Sequence, residues 1–223
     1  MEFVRITSIH DPLFGAMHGL MQRVYPAEEV LVAEAWAGPL QDENLRVCVA
    51  VHEGTVVGAT EYRYMPDVGV AMSDFTIVAV TGLGVGRFIW ERREADLKAL
   101  AARHGQSSLG MFAEIYDPGR VTHLQFGDMP AMHPVVRREV LSHMGYRRLD
   151  FAYVHPSWQQ NGEAVHNLDL CFLPADLGRE SVPSALVVKF LTSYYAILPD
   201  RPAAWQAMID GLNARDEVAL RPL

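Results

Sequence analysis

The run Val78-Ala79-Val80-Thr81-Gly82-Leu83-Gly84-Val85-Gly86-Arg87 sets three alternate glycines between a β-branched apolar stretch and a long helix-compatible segment. Glycines let a backbone approach a ligand closely, and the first amides of a helix point outward, unpaired and partly positive. A strand–loop–helix corner of this kind suits a phosphate. A Walker loop needs a Lys after its last glycine, and none follows here. The dinucleotide fingerprint G-x-G-x-x-G, begun at Gly82, finds Arg87 where its third glycine belongs. A turn without a ligand stays open alongside other phosphate-binding loops.

Two carboxylates stand inside strand-like runs, Asp74 in Met72-Ser73-Asp74-Phe75 and Glu114 in the apolar Met111-Phe112-Ala113-Glu114-Ile115-Tyr116, and Glu61 lies on the strand before that of Asp74. Burial near a cleft raises a carboxyl pKa and suits it to proton abstraction near neutrality. The nine histidines form no H-x-x-x-H or H-E-x-x-H pattern, so no metal is expected. No G-x-S-x-G elbow occurs, and neither Cys48 nor Cys171 has metal-site spacing; two buried thiols are expected.

The elements that must position these groups follow from periodicity and punctuation. A strand over about Phe3–Ser8 precedes a helix from about Asp11, and a second helix runs from Pro26 to about Gly38. Strands follow over Arg46–His52, Val56–Met65 and about Val70–Val80. A helix covers about Val85–His104, with Arg92 and Arg93 interrupting its apolar face. Leu109–Tyr116 is a strand, 119–132 a loop and Pro134–Met144 a helix presenting Val136, Val140, Leu141 and Met144 inward. Tyr146–Val154 is a strand. Beyond it come a strand at Asn167–Leu173, helices at Pro183–Ile197 and from Pro202, and an extended end at Asp216–Leu223. The aromatic pair Tyr194-Tyr195 and Trp205 read as helical core.

Thr81-Gly82-Leu83-Gly84-Val85-Gly86 resembles the acyl-CoA loop [QR]-x-x-G-x-[GA] of the GNAT acetyltransferase superfamily, with Thr81 in place of Gln or Arg. Met144-Gly145-Tyr146-Arg147-Arg148-Leu149 resembles that superfamily's helix–Gly–aromatic–strand ending, and the order βααβββαβαβ is similar to its order. The resemblance covers residues 1–155 and implies an α/β (α+β) fold: a mixed, mostly antiparallel sheet with splayed central strands and flanking helices. Residues 156–223 are expected to be a C-terminal extension packed on the same core.

The resemblance implies acetyl-CoA, or another acyl-CoA, as co-substrate. Its pantetheine arm would pair with backbone groups of Thr76, Ile77 and Val78 in the splay, with an amide near Ile77 as oxyanion donor. Thr81 and the amides of Gly82, Gly84, Val85, Gly86 and Arg87 would hold its pyrophosphate. The implied activity is transfer of an acetyl or related acyl group to a primary amine of a small molecule or peptide by direct attack. Glu114 is the first candidate base, Asp74 the second and Glu61 the third. The superfamily's usual acidic Tyr falls at Leu141, so Ser142, His143 or Tyr116 would have to replace it. The alternative is a catalytically inactive CoA-binding or regulatory module. His123 and His133 are candidates for lining the acceptor pocket.

Half of the 223 residues are apolar, enough for a sizeable core. The net charge of −8 argues against nucleic acid as a partner, and no apolar run approaches a membrane span. No signal-peptide core opens the chain, so a cytoplasmic protein is expected, with a homodimer left open. Residues 1–80 carry eleven acids and four basic residues, which permits a cationic acceptor.

Overall fold

The structure, a computed structural model, describes residues 1–26, 29–121, 129–157, 163–198 and 200–223. The strands are β1 (Glu2–Ile6), β2 (Leu45–His52), β3 (Thr55–Met65), β4 (Val70–Val78), β5 (Gly110–Tyr116), β6 (Arg147–Leu149), β7 (Leu168–Pro174), β8 (Ser181–Pro183) and β9 (Glu217–Arg221). The helices are α1 (Phe14–Val24), α2 (Val85–Arg103), α3 (Pro134–His143), α4 (Ser184–Tyr194) and α5 (Ala203–Asn213). The sheet order is β1-β2-β3-β4-β5-β7-β6-β9-β8, and of these pairings only β4 with β5 is parallel. The expected mixed, mostly antiparallel sheet with flanking helices is therefore present.

The β4–β5 pairing is short: Ala71, Met72 and Ser73 lie opposite Met111, Phe112 and Ala113. Beyond that point β4 continues against β3 alone, and Glu114–Tyr116 continue against β7 alone. The strands part where β4 is bulged, because Glu61 faces Phe75 and Tyr62 faces Ser73, leaving Asp74 as the extra residue. A bulge bends its strand and re-aims a side chain. Here it opens the sheet at its centre.

α2 buries Val85, Ile89, Arg93, Leu97, Leu100 and Ala101, one helical stripe. The interruption expected at Arg92 and Arg93 resolves into two roles: Arg92 is exposed, whereas Arg93 is 2% exposed and stays in the stripe. Its Nη1 donates to Ser73 Oγ and Thr76 Oγ1, each at 2.8 Å. These two hydroxyls flank Asp74, so the guanidinium spans the bulge from the α2 side. α1, α4 and α5 supply the core on the other face, with Met17, Phe190 and Trp205 among its buried residues.

Several expectations change. The helix from Pro26 to Gly38 is replaced, among the described residues, by short 3-10 turns at Ala33–Ala37 and Pro39–Gln41. Leu31 O meets His18 Nε2 at 2.9 Å and accepts from Trp36 Nε1 at 3.2 Å, so side chains rather than an α-helix use that carbonyl. On α3, Leu141 and Met144 pack inward but Val136 and Val140 are exposed, because Arg137 occupies the inward face. The strand expected at Tyr146–Val154 is regular only over β6.

The boundary expected at 155 falls within one continuous sheet. β7, from the expected extension, enters between β5 and β6 and pairs with β5 from Gly110 to Tyr116. Phe112 and Phe172 meet across that pairing with ring centroids 4.6 Å apart. Segment 156–223 thus supplies an interior strand as well as the α4 and α5 layer.

Candidate active site

Where β4 and β5 part, a cavity of about 570 Å3 opens on the α1 side of the sheet. Glu61, Asp74 and Glu114, from three strands, all line it, together with Glu29. Arg63 and Arg137 are its guanidinium groups, and Met21, Trp36, Phe75, Leu168 and Leu198 contribute apolar wall. The three candidate carboxylates therefore converge on one space.

Tyrosines hold most of the acids. Tyr153 and Tyr195 both donate to Glu114 Oε1, and His155 Nε2 lies 3.6 Å from Glu114 Oε2. Tyr194 donates to Asp74 Oδ1, and Tyr116 to Glu29 Oε2. Burial keeps Tyr194, Tyr195 and Tyr153 protonated well above the ordinary tyrosine range, and neighbouring carboxylates add to the effect.

Asp74 and Glu61 differ from the rest. Burial pushes the Asp74 carboxyl up to about 6, while the Tyr194 hydroxyl and Arg63 oppose the rise. Burial also lifts Glu61 well above the carboxylate range, and the charge of Asp74 adds to it. Neighbouring carboxylates whose charges repel do not titrate independently. Asp74 Oδ2 is buried without a hydrogen-bond partner, and Arg63 Nη1 lies 3.5 Å from Asp42 Oδ2.

The glycine corner lies at the far end of β4. Gly82 and Gly84 take positive φ values of 86° and 70°, and Gly84 caps α2 with no side chain on its first amides. The first turn holds no acid, and no atom lies within 4 Å of a Cβ built on Gly82 or Gly84. The amides of Val85, Gly86 and Arg87 are thus presented as helix-start donors. Thr81 is exposed beside them, and Arg87 Nε lies 3.5 Å from Glu91 Oε1.

Thr76 and Val78 turn their peptide groups into the splay. Arg137 Nη1 donates to Thr76 O at 2.7 Å, and Val78 N donates to Met132 Sδ at 3.5 Å. Ile77 departs from expectation. Ala79 N donates to Val57 O on β3, and peptide groups alternate along a strand, so those of Ile77 also face β3. The peptide groups of β4 that face away from β3 are therefore those of Thr76 and Val78.

The replacement acids fare unequally. Ser142 and His143 are exposed, with His143 Nδ1 2.8 Å from Glu139 O, whereas Tyr116 lines the cavity. His133 is exposed at the start of α3, and His123 lies outside the described residues. Sequence reasoning missed Tyr153, His155 and Arg137, and it placed Tyr194 and Tyr195 in the core. Tyr195 and Trp205 are buried there, but Tyr194 reaches the cavity. No local pattern flags these residues; only their polar tips within apolar segments hinted at a shared partner. Among the described residues no group of His, Cys, Asp and Glu is placed to hold a metal, and no helix is long and apolar enough to cross a membrane.

No protein-family model matches the chain, and no curated protein matches it. Solved structures do. A structure described as a GNAT-family acetyltransferase from Bacteroides thetaiotaomicron aligns over 89% of this chain and 97% of that one, with TM-score 0.62 and 12% identity. The ribosomal-protein-S18-alanine N-acetyltransferase from Escherichia coli aligns over 78% and 92%, with TM-score 0.51 and 11% identity. An aminoglycoside 6'-N-acetyltransferase complexed with coenzyme A aligns over 77% and 95%, with TM-score 0.50 and 13% identity. At these identities the likeness is one of fold.

Proposed function

We propose that this chain, which has the GNAT acetyltransferase fold, is an acyl-CoA-dependent N-acyltransferase acting on a primary amine by direct attack. One observation carries the proposal: Glu61, Asp74 and Glu114 converge on a cavity at the point where β4 and β5 separate.

The glycine corner fits the co-substrate, since its helix-start amides are uncapped and the space above Gly82 and Gly84 is free. Gly82, Gly84, Val85, Gly86 and Arg87 would hold the pyrophosphate, with Thr81 alongside, and Thr76 and Val78 the arm. Bound there, an acyl-CoA supplies an acyl carbon activated toward amines.

The chain's own residues do the rest. An ammonium is drawn to the acidic cavity, and the Asp74 carboxylate, raised by burial to about 6, is the group suited to take its proton. Glu114, held by two tyrosines and facing His155, extends the acidic network and is the second proton acceptor. An inward amide of β4 meets charge growing on the acyl oxygen, an effect worth about 3 kcal/mol where measured elsewhere.

The test is incubation with acetyl-CoA and a panel of amines while free thiol is followed. Thiol release that depends on the amine supports the enzyme. Met132 and Arg137, seated on the inner edge of β4, favour a second reading as a non-catalytic CoA-binding module. CoA retention without thiol release under any amine would select that one.

A further inference from the structure

The polar groups around the cavity are unequally engaged. Glu29, Glu114 and Asp74 Oδ1 each accept from tyrosine hydroxyls, and Arg137 donates to the Thr76 carbonyl. Among the described residues the Glu61 carboxylate makes no side-chain hydrogen bond or ion pair, and Asp74 Oδ2 has no hydrogen-bond partner. The charges are unbalanced as well. Glu61, Asp74 and Asp42 stand around a single guanidinium, that of Arg63. The site is short of positive charge at the place where a reacting amine would lie.

Part of the wall of the same cavity is apolar. Trp36, Phe75, Leu168 and Leu198 face the same space, with Met21 from α1 and Ile197 from the segment after α4. A ligand rich in hydroxyls or peptide groups would leave several of them unpaired, and each such loss weakens binding about fivefold or more. A second ammonium would find the remaining carboxylates already held by tyrosines. Hydrocarbon, by contrast, gains about three- to fourfold in affinity per buried methylene.

Resting on the acyltransferase reading for which group reacts, we infer that the acceptor is a hydrophobic monoamine, its ammonium bound by the Glu61–Asp74 pair and its hydrocarbon body by the wall around Trp36 and Phe75. The ammonium then gives a proton to the pair: an N–H bond breaks, an O–H bond forms, and the neutral amine keeps the lone pair that attacks. Arg63 from β3, Glu114 from β5, Tyr194 from α4 and Tyr25 after α1 are the other titratable or charged groups facing this pair. Burial raises both carboxyls of the pair, so binding a cation favours their ionised forms and releases protons to solvent before any chemistry.

Calorimetry without an acyl donor tests this. Butylamine, hexylamine and phenethylamine are compared with glucosamine, putrescine and glycylglycine in two buffers of different ionisation enthalpy. Hexylamine and phenethylamine are expected to bind about tenfold or more tightly than the three polar amines. Affinity should rise by about tenfold from butylamine to hexylamine, the two-methylene expectation. Proton release should accompany binding and disappear in Glu61→Gln, a near-isosteric change whose fold is checked by circular dichroism. Asp74→Asn is the second variant and should also lose proton release. Equal or tighter binding of a polar amine, or unaltered binding and proton release in Glu61→Gln, would overturn the inference. Failure to acylate a tightly bound hydrophobic amine would sink the transferase reading while leaving the binding site intact.

Discussion

Met132 Sδ receives the Val78 amide at 3.5 Å, and the Arg137 guanidinium that binds Thr76 O lies 3.7 Å from the same sulfur. Two groups on the inner edge of β4, the Val78 amide and the Thr76 carbonyl, are therefore satisfied from within the chain. A pantetheine arm pairing with Thr76 and Val78 must displace these contacts. Both side chains also line the cavity that holds Glu61, Asp74 and Glu114.

Arg137→Gln weakens that internal contact. A hydrogen bond from a charged group contributes about 1.5–3 kcal/mol, part of which the cofactor no longer has to displace. CoA should bind the variant about tenfold more tightly by calorimetry. Weaker binding would show that Arg137 touches the cofactor instead of competing with it.

Arg93 clamps the bulge through Ser73 and Thr76 and so sets the aim of Asp74. Arg93→Met leaves both hydroxyls without this donor, at a cost of about 1–3 kcal/mol in stability. Its turnover should fall about tenfold or more, with a displaced pH–rate midpoint, and Arg93→Lys should recover part of both. Lost stability with an unmoved midpoint would leave Arg93 a purely structural role.

Asp74 sets a pH dependence whose sign is unusual for an acid. Its ordinary value is 3.8 and its folded value about 6, so between them the folded chain holds the proton more firmly. The stability from that proton is complete below 3.8 and is lost as pH rises through 6. Two pH units correspond to about 3 kcal/mol at most, and the coupling to Glu61 spreads the effect over both groups. Asp74→Asn should therefore be more stable than the parent at pH 7.5, with the gap closing toward pH 4, in urea titrations.

Gly58 lets α2 rest on β3. A Cβ there would lie 2.6 Å from Val85 Cγ1 and 2.8 Å from Ile77 O. Gly58→Ala should cost about 1–3 kcal/mol through overpacking. It should also weaken CoA binding, because Val85 opens the helix whose first amides form the glycine corner. Thermal melts and calorimetry on the same sample check both.

Much of this was legible in the chain itself. The glycine corner, the strands on either side of it and α2 announce themselves through alternation, helical spacing and turn residues, all local signals. Glu114 and Asp74 stood out because a carboxylate in an apolar strand must find a reason to be buried, and Glu61 by its place on the neighbouring strand. What only the tertiary structure decided was which distant groups meet them. The bulge at Asp74 appears only once β3 is paired with β4. β7 slips between β5 and β6, carrying with it the helix that brings Tyr194 and Tyr195 to carboxylates 120 and 81 residues earlier. Strand order and cross-sheet hydrogen bonds join residues far apart in sequence, and the local pattern around each one carries no record of its partner.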